Sequence, residues 1–292
     1  GGKSKAAAQA AASAANAAAK AAAAAAAASA RLEPGQYKSI ADALAAAEAG
    51  DTVVLGPGHH WEGDLSSDKP VRILGERADP SRVLLEMTGS LRWTARKGLI
   101  LGVSMRRPKP CPDKGALVTV AGGGSLQLST CHVNNKHARD GSPGLEATDQ
   151  NSILFLERCR VHDASGPGIA CQPGGSAAVV GCEISGSGGA GLLVRAGGRA
   201  VLHDSYVYWN GGAGVEVAHG AVMSLEHNDC SLNKGGPMRS EGVVRVSRRN
   251  CCVVSRRDTA PLPEGFRAQA EAAKRAPYYE GREDDGLDAD DR

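Results

Sequence analysis

Aromatic side chains are scarce in this chain: two Phe, five Tyr and three Trp among 292 residues. A thick core assembled around large rings is therefore excluded. The interior must come from Val, Leu, Ile, Ala and Cys, which suits thin layers stacked on one another. Eight cysteines are present, but none forms a C-x-x-C pair, so zinc-ribbon spacing is absent and no metal site is expected. No stretch combines a basic segment with the apolar run of a secretory signal, and the alanine runs are too weakly apolar to span a bilayer. Reduced thiols and a cytoplasmic location are the expectation. The net charge is only +2, which suggests no nucleic-acid partner.

What the chain does have is glycine, 38 residues of it. "GSGGAG" (186–191) matches the dinucleotide-binding pattern G-x-G-x-x-G. That loop works where a strand gives way to a helix whose N-terminal amides hold a pyrophosphate. Here "LLVRAGGRAVLHDSYV" follows, broken by Gly197-Gly198 and then apolar at every second residue. No helix starts there, and no cofactor is implied. The same text recurs instead, as "GPGIAC" (166–171), "GGAGLLV" (188–194) and "GGAGVEV" (211–217). A regular period of this length is the mark of a solenoid.

The coils align on Cys131, Cys159, Cys182, Ser205 and Asn228. Three residues earlier stand Leu128, Leu156, Val179, Leu202 and Leu225, and two later stand Val133, Val161, Ile184, Val207 and Cys230. The second half of each coil reads Gly-apolar at Gly144-Leu145, Gly168-Ile169, Gly191-Leu192, Gly214-Val215 and Gly242-Val243. These glycines suit a corner that needs positive φ or close backbone approach. Upstream, "SIADALAAAEAG" (39–50) predicts a short capping helix over 39–49. Ser39 and Asp42 supply a capping box, Ile40, Leu44 and Ala47 one apolar face, and Gly50 the stop. Its place is over the open end of the stack. "DTVVL" (51–55) then reads as a buried strand.

These features divide the chain into an Ala-rich extension (1–30), a solenoid with its helix (31–258), and a C-terminal segment (259–292). Within the last, "EGFRAQAEAAKR" (264–275) reads as a helix, and "EGREDDGLDADDR" (280–292) is acidic.

"LEHNDCSLNKG" (225–235) and "HDSYVYWNGGAGVEV" (203–217) carry apolar-x-x-Asn-x-apolar-x-x-Asn followed by Gly-apolar-x-apolar, with Asn228, Asn233 and Asn210 at the Asn positions. This resembles the right-handed parallel β-helix of the pectate-lyase-like superfamily over residues 36–257. "SIADALAAAEAGDTVVLGPGHHWEGDLSSDKPVRILGE" (39–76) looks like the entry to its intracellular branch, which includes F-box β-helix proteins and SHC-binding spindle proteins. The resemblance implies an all-β, single-stranded right-handed solenoid used as a scaffold in a cytoplasmic or cytoskeletal assembly such as a cilium or spindle. No F-box is visible, and Cys replaces the ladder Asn in three coils.

Strand alternation identifies the outward residues. Glycan-cleaving members of the fold need clustered acids for Ca²⁺ or for acid/base work. Here His203 with Glu226, and Tyr206 with Asp229, come nearest, and neither column stacks two acids in adjacent coils. A carbohydrate-binding or carbohydrate-cleaving solenoid is therefore the second reading. The expected interaction patch is aromatic: Tyr206, Tyr208 and Trp209, with both tyrosines outward, joined by Arg160 and the outward column of Phe155, Ala178 and Val201. Exposed aromatics with an arginine nearby suit a protein contact. A second, basic patch reads from "VSRRNCCVVSRRD" (246–258) as Arg248, Arg249, Arg256 and Arg257, suited to an acidic partner or to the chain's own acidic tail.

Overall fold

A computed structural model describes residues 35–109, 111, 115–138, 141–246 and 250. The Ala-rich extension, the C-terminal helix and acidic tail, and the four arginines of the basic patch lie outside them. The described chain is an all-β solenoid with one short α-helix at its N-terminal end. Its strands form three sheets of nine, seven and eight members. Each coil gives one strand to each sheet in turn, and every pairing is parallel, one coil apart.

The register confirms the sequence alignment of the central coils. In the first sheet Ile153–Glu157 pairs with Ser176–Val180, and that strand with Arg199–His203. In the second, Arg160–His162, Glu183–Ser185 and Tyr206–Tyr208 stack in order. In the third, Ile169–Cys171, Leu192–Val194 and Val215–Val217 do the same. Inward residues thus pile like on like. Leu128, Leu156, Val179, Leu202 and Leu225 are fully buried along one row, and Leu145, Ile169, Leu192 and Val215 along another. A core of this kind needs few rings. Trp93 is the exception, and Gly98 makes room for it: a Cβ there would sit 2.0 Å from the indole.

Two columns of left-handed residues turn each coil. Thr130, Arg158, Gly181, Asp204 and His227, with φ of 49–60°, separate the first sheet from the second. Asp163, Gly186, Trp209 and Leu232, with φ of 52–66°, leave the second. Of these nine residues only Gly181 and Gly186 are glycine, with Gly102, at φ 67°, preceding Thr130 in the first column. Yet the conformation costs an L-residue about 1–2 kcal/mol. The stacked inter-coil hydrogen bonds hold it, as when Asp204 N donates to Glu226 O at 3.1 Å.

This accounts for "GSGGAG". Gly186 is the left-handed member of its column. Gly191 is a corner glycine of a different kind, selected by close approach and not by positive φ. A Cβ on it would lie 2.3 Å from Val207 Cγ1 and 2.8 Å from Gly214 O. The strand Leu192–Val194 follows at once.

Three expectations need correction. Gly242 is not the fifth corner glycine. Val215–Val217 pairs with Met238–Ser240, so Pro237 takes the corner, and Gly242 opens the next first-sheet strand. The helix, α1, spans Ile40–Ala46 with Ser39 as N-cap, its side chain accepting from Asp42 N. It ends at Ala47, before Gly50, because Ala47 is extended at ψ 146°. Ile40, Leu44 and Ala47 do join the core, covering its N-terminal end. Finally, "DTVVL" is not buried throughout. Its strand Thr52–Val54 is a sheet edge in which Val53 packs on the core while Val54 faces solvent.

Candidate functional site

The second sheet carries the polar and aromatic outer face. One outward column runs through His132, Arg160, Glu183, Tyr206 and Asp229. The other runs through Asn134, His162, Ser185 and Tyr208. Three-residue strands present two outward side chains per coil, and parallel stacking at about 4.8 Å makes neighbours of equivalent residues. Arg160 and Glu183 therefore meet: Nε donates to Oε2 and a terminal guanidinium nitrogen to Oε1, both at 3.0 Å. Tyr208 OH donates to the same Oε1. The Trp209 ring then closes edge-on against Tyr208, with centroids 4.5 Å apart.

The predicted patch is thus divided. Tyr206 is 49% exposed but Tyr208 only 3%. Tyr208 does not face solvent as expected, because its hydroxyl reaches a carboxylate one coil away and Trp209 folds over its ring. Arg160 is spent on Glu183.

A similar network occupies the N-terminal coils of the same face. Glu86, whose side chain is 4% exposed, accepts from Arg106 Nε at 2.8 Å and lies 3.0 Å from His59 Nε2. Trp61 stacks on His59 at 4.4 Å and is itself exposed. The third acid of the face, Asp229, accepts from Ser231 N at 2.8 Å. Glu86 and Glu183 are each pinned by an arginine. Neither is placed to share acid and base roles across a glycosidic bond.

The first sheet's outer face is different. Phe155, Ala178 and Val201 align as expected. Phe155 is half-buried, and Val201 is 46% exposed. The adjacent outward row adds Ile153, Val222 and Val243, all exposed. Ser176 and Arg199 stand between Ile153 and Val222 in this row, whereas Val222 and Val243 stack directly; exposed apolar residues clustered there suit contact with another molecule.

At the edge between these two sheets the coils assemble a cluster that ligand spacing along the chain does not reveal. His203 stacks on Glu226 as the last outward pair of the first sheet. Asp204 and His227 are the next, left-handed residues of the same coils. The order His-Asp in one coil and Glu-His in the next sets each ring beside carboxylates. His203 Nδ1 is 2.9 Å from Asp204 Oδ2, and His203 Nε2 is 3.6 Å from Glu226 Oε2. His227 Nδ1 is 3.4 Å from Asp204 Oδ1. One ligand atom from each of His203, Glu226 and His227 lies within 4.8 Å of the other two. The signal was present in the sequence as "HD" and "EH" exactly one coil apart. His227 and Asp204 went unread because a turn residue has no face until its φ is known.

Inside the corner, the cysteines form a thiol ladder. Cys159 N donates to Cys182 Sγ at 3.3 Å, Cys182 N to Ser205 Oγ at 3.1 Å, and Ser205 N to Asn228 Oδ1 at 2.9 Å. Asn210 and Asn233 continue a second ladder, with Asn210 N donating to Asn233 Oδ1 at 3.0 Å. Burial first, and then the neighbouring thiol of Cys131, push Cys159 well above the ordinary thiol value. The hydrogen bond with Cys159 and burial do the same to Cys182. Burial pushes Cys171 up to about 12. Cys111, Cys131, Cys159, Cys171 and Cys182 are free thiols, whereas Cys230 is disulfide-bonded, which corrects the expectation of a fully reduced chain.

Parallel coils with Asn, Ser and Cys ladders at their corners find their match in the right handed beta helix region, whose family model covers residues 111–258. The chain belongs to that family. In this β-helix the coils extend N-terminal to the matched region, back to Thr52. No curated protein matches the β-helix. Among its described residues no helix is long and apolar enough to cross a membrane.

Proposed function

We propose that this β-helix is a non-catalytic scaffold, a rigid structural subunit that holds other proteins on its outer faces within a cytoplasmic or cytoskeletal assembly. The observation that carries this reading is the contrast between the two faces. On the second sheet Glu86 and Glu183 are held by arginines, so the face is polar without offering a paired acid and base. On the first sheet Val201, Val222 and Val243 stay exposed in successive coils, with Ile153 exposed two coils before Val201. A solenoid suits this work because each coil contacts only its neighbours, giving a long, stiff surface. The resemblance of residues 39–76 to the intracellular branch supports the same partner class.

A photo-crosslinking amino acid placed at Val201 or Tyr206 of the full chain, in cells, tests this reading. Protein adducts at these positions, absent from a control at exposed Arg239 on the third sheet, are expected. A carbohydrate-binding solenoid is the second reading, favoured by Trp61 and Tyr206 standing exposed on the polar face. Saturable binding on a glycan array, lost on Tyr206→Ala and accompanied by no protein adducts, would establish it instead.

A further inference from the structure

We infer that His203, Glu226 and His227 form a binding site for a divalent transition-metal cation of the zinc class, with Asp204 as the positioning carboxylate. The inference is independent of the scaffold reading.

The donor set selects the ion. Two imidazoles and one carboxylate suit zinc, copper or nickel, whereas calcium and magnesium prefer all-oxygen shells. The spacing is near what such an ion needs. Tetrahedral zinc with bonds of about 2.0–2.1 Å holds its ligand atoms roughly 3.3 Å apart. His203 Nε2 and Glu226 Oε2 already stand 3.6 Å apart, and all three donors fall within 4.8 Å. Small rotamer shifts of these part-exposed side chains close the remainder, while the coil stacking fixes their backbones.

Asp204 supplies the second requirement. A metal-bound imidazole commonly gives its other ring nitrogen to a carboxylate, which fixes its tautomer and orientation. Asp204 stands at Nδ1 of both rings, at 2.9 and 3.4 Å. It thereby directs Nε2 of each ring to the ion. With neutral imidazoles, Asp204 and Glu226 bring two negative charges, which a dication balances. Three protein ligands leave a fourth position for water. All four side chains are open to solvent on one side, between a third and just over half exposed, so an ion enters without any opening of the fold.

Calorimetric titration of the full chain with zinc chloride, paired with absorption spectra of the cobalt(II) form, tests the site. One equivalent of zinc is expected, with no competition from excess calcium. The double variant H203Q/H227N should abolish saturable binding, and Asp204→Asn should weaken it about 10- to 100-fold. Asn at 204 and 227 tolerates the left-handed backbone. Glu226→Gln should weaken binding, while His219→Gln should change nothing. The proposal is overturned if no saturable binding occurs at millimolar zinc, or if the double variant binds as the parent does. A variant that fails to fold does not rescue it, because the parent's cobalt spectrum reads the ligands directly. A thiolate-to-cobalt charge-transfer band would place the ion on cysteine and refute the assignment.

Discussion

Cys182 Sγ accepts the backbone N–H of Cys159, one coil earlier, at 3.3 Å. One coil later Ser205 Oγ makes the same bond to Cys182 N, and then Asn228 Oδ1 to Ser205 N. Thiol, hydroxyl and amide are therefore interchangeable as acceptors at this corner. Cys182→Ser should cost less than about 1 kcal/mol. Cys182→Val, of similar size, strands the buried Cys159 N–H and should cost about 1–3 kcal/mol. Urea denaturation followed by circular dichroism separates the two. Equal midpoints would show that the thiol serves as apolar filling only.

Gly191 tests the corner. Its missing Cβ is the space taken by Val207 Cγ1 and Gly214 O. Gly191→Ala should destabilise the fold by about 1–3 kcal/mol through overpacking, and Gly191→Val by more. Exposed Gly220 has nothing within 4 Å of a built Cβ, but its φ is +76°. Gly220→Asn should therefore be nearly silent, because Asn accepts that conformation. A thermal melt of the three variants checks the order.

Tyr206 and Tyr208 should behave oppositely. Tyr206→Ala removes an exposed ring and should leave stability within about 0.5 kcal/mol. Tyr208→Phe loses the bond to Glu183 and should cost about 0.5–1.5 kcal/mol. Tyr208→Ala, which also uncovers Trp209, should cost more. Only Tyr206 can then report on partner binding without a change in the fold.

Asp163 gives a pH signature. Its burial pushes the carboxyl up, but the hydrogen bond and charge of His162 prevail and hold it below its ordinary value of 3.8. A carboxyl with a depressed folded-state value contributes stability above its unfolded value, about pH 4, and loses it as pH falls through the lower folded value. The side chain is 46% exposed, so the contribution is about 0.5 kcal/mol or less. Asp163→Asn keeps a residue that tolerates φ of 52°. It should flatten the acid limb of stability below about pH 4. Melts across that range measure it.

By itself the sequence determined the solenoid, its 23-residue register and the inward rows, because in a stacked coil each residue's main neighbour is its own equivalent one period away. The outward columns followed from the same register and strand alternation. What only the tertiary structure decided lies at the turns and in side-chain reach. Left-handed φ at Asp204 and His227 aimed four polar side chains at one another, although neither position carries the glycine that would have announced the turn. Tyr208 was buried by a carboxylate from the neighbouring coil, a contact that alternation cannot foresee because it fixes which face a side chain leaves by, not how far it leans. The misplaced Gly242 has the same cause. Gly-apolar reads alike at a corner and at a strand start, and only the hydrogen bond from Val215 N to Pro237 O shows which of the two carries the turn.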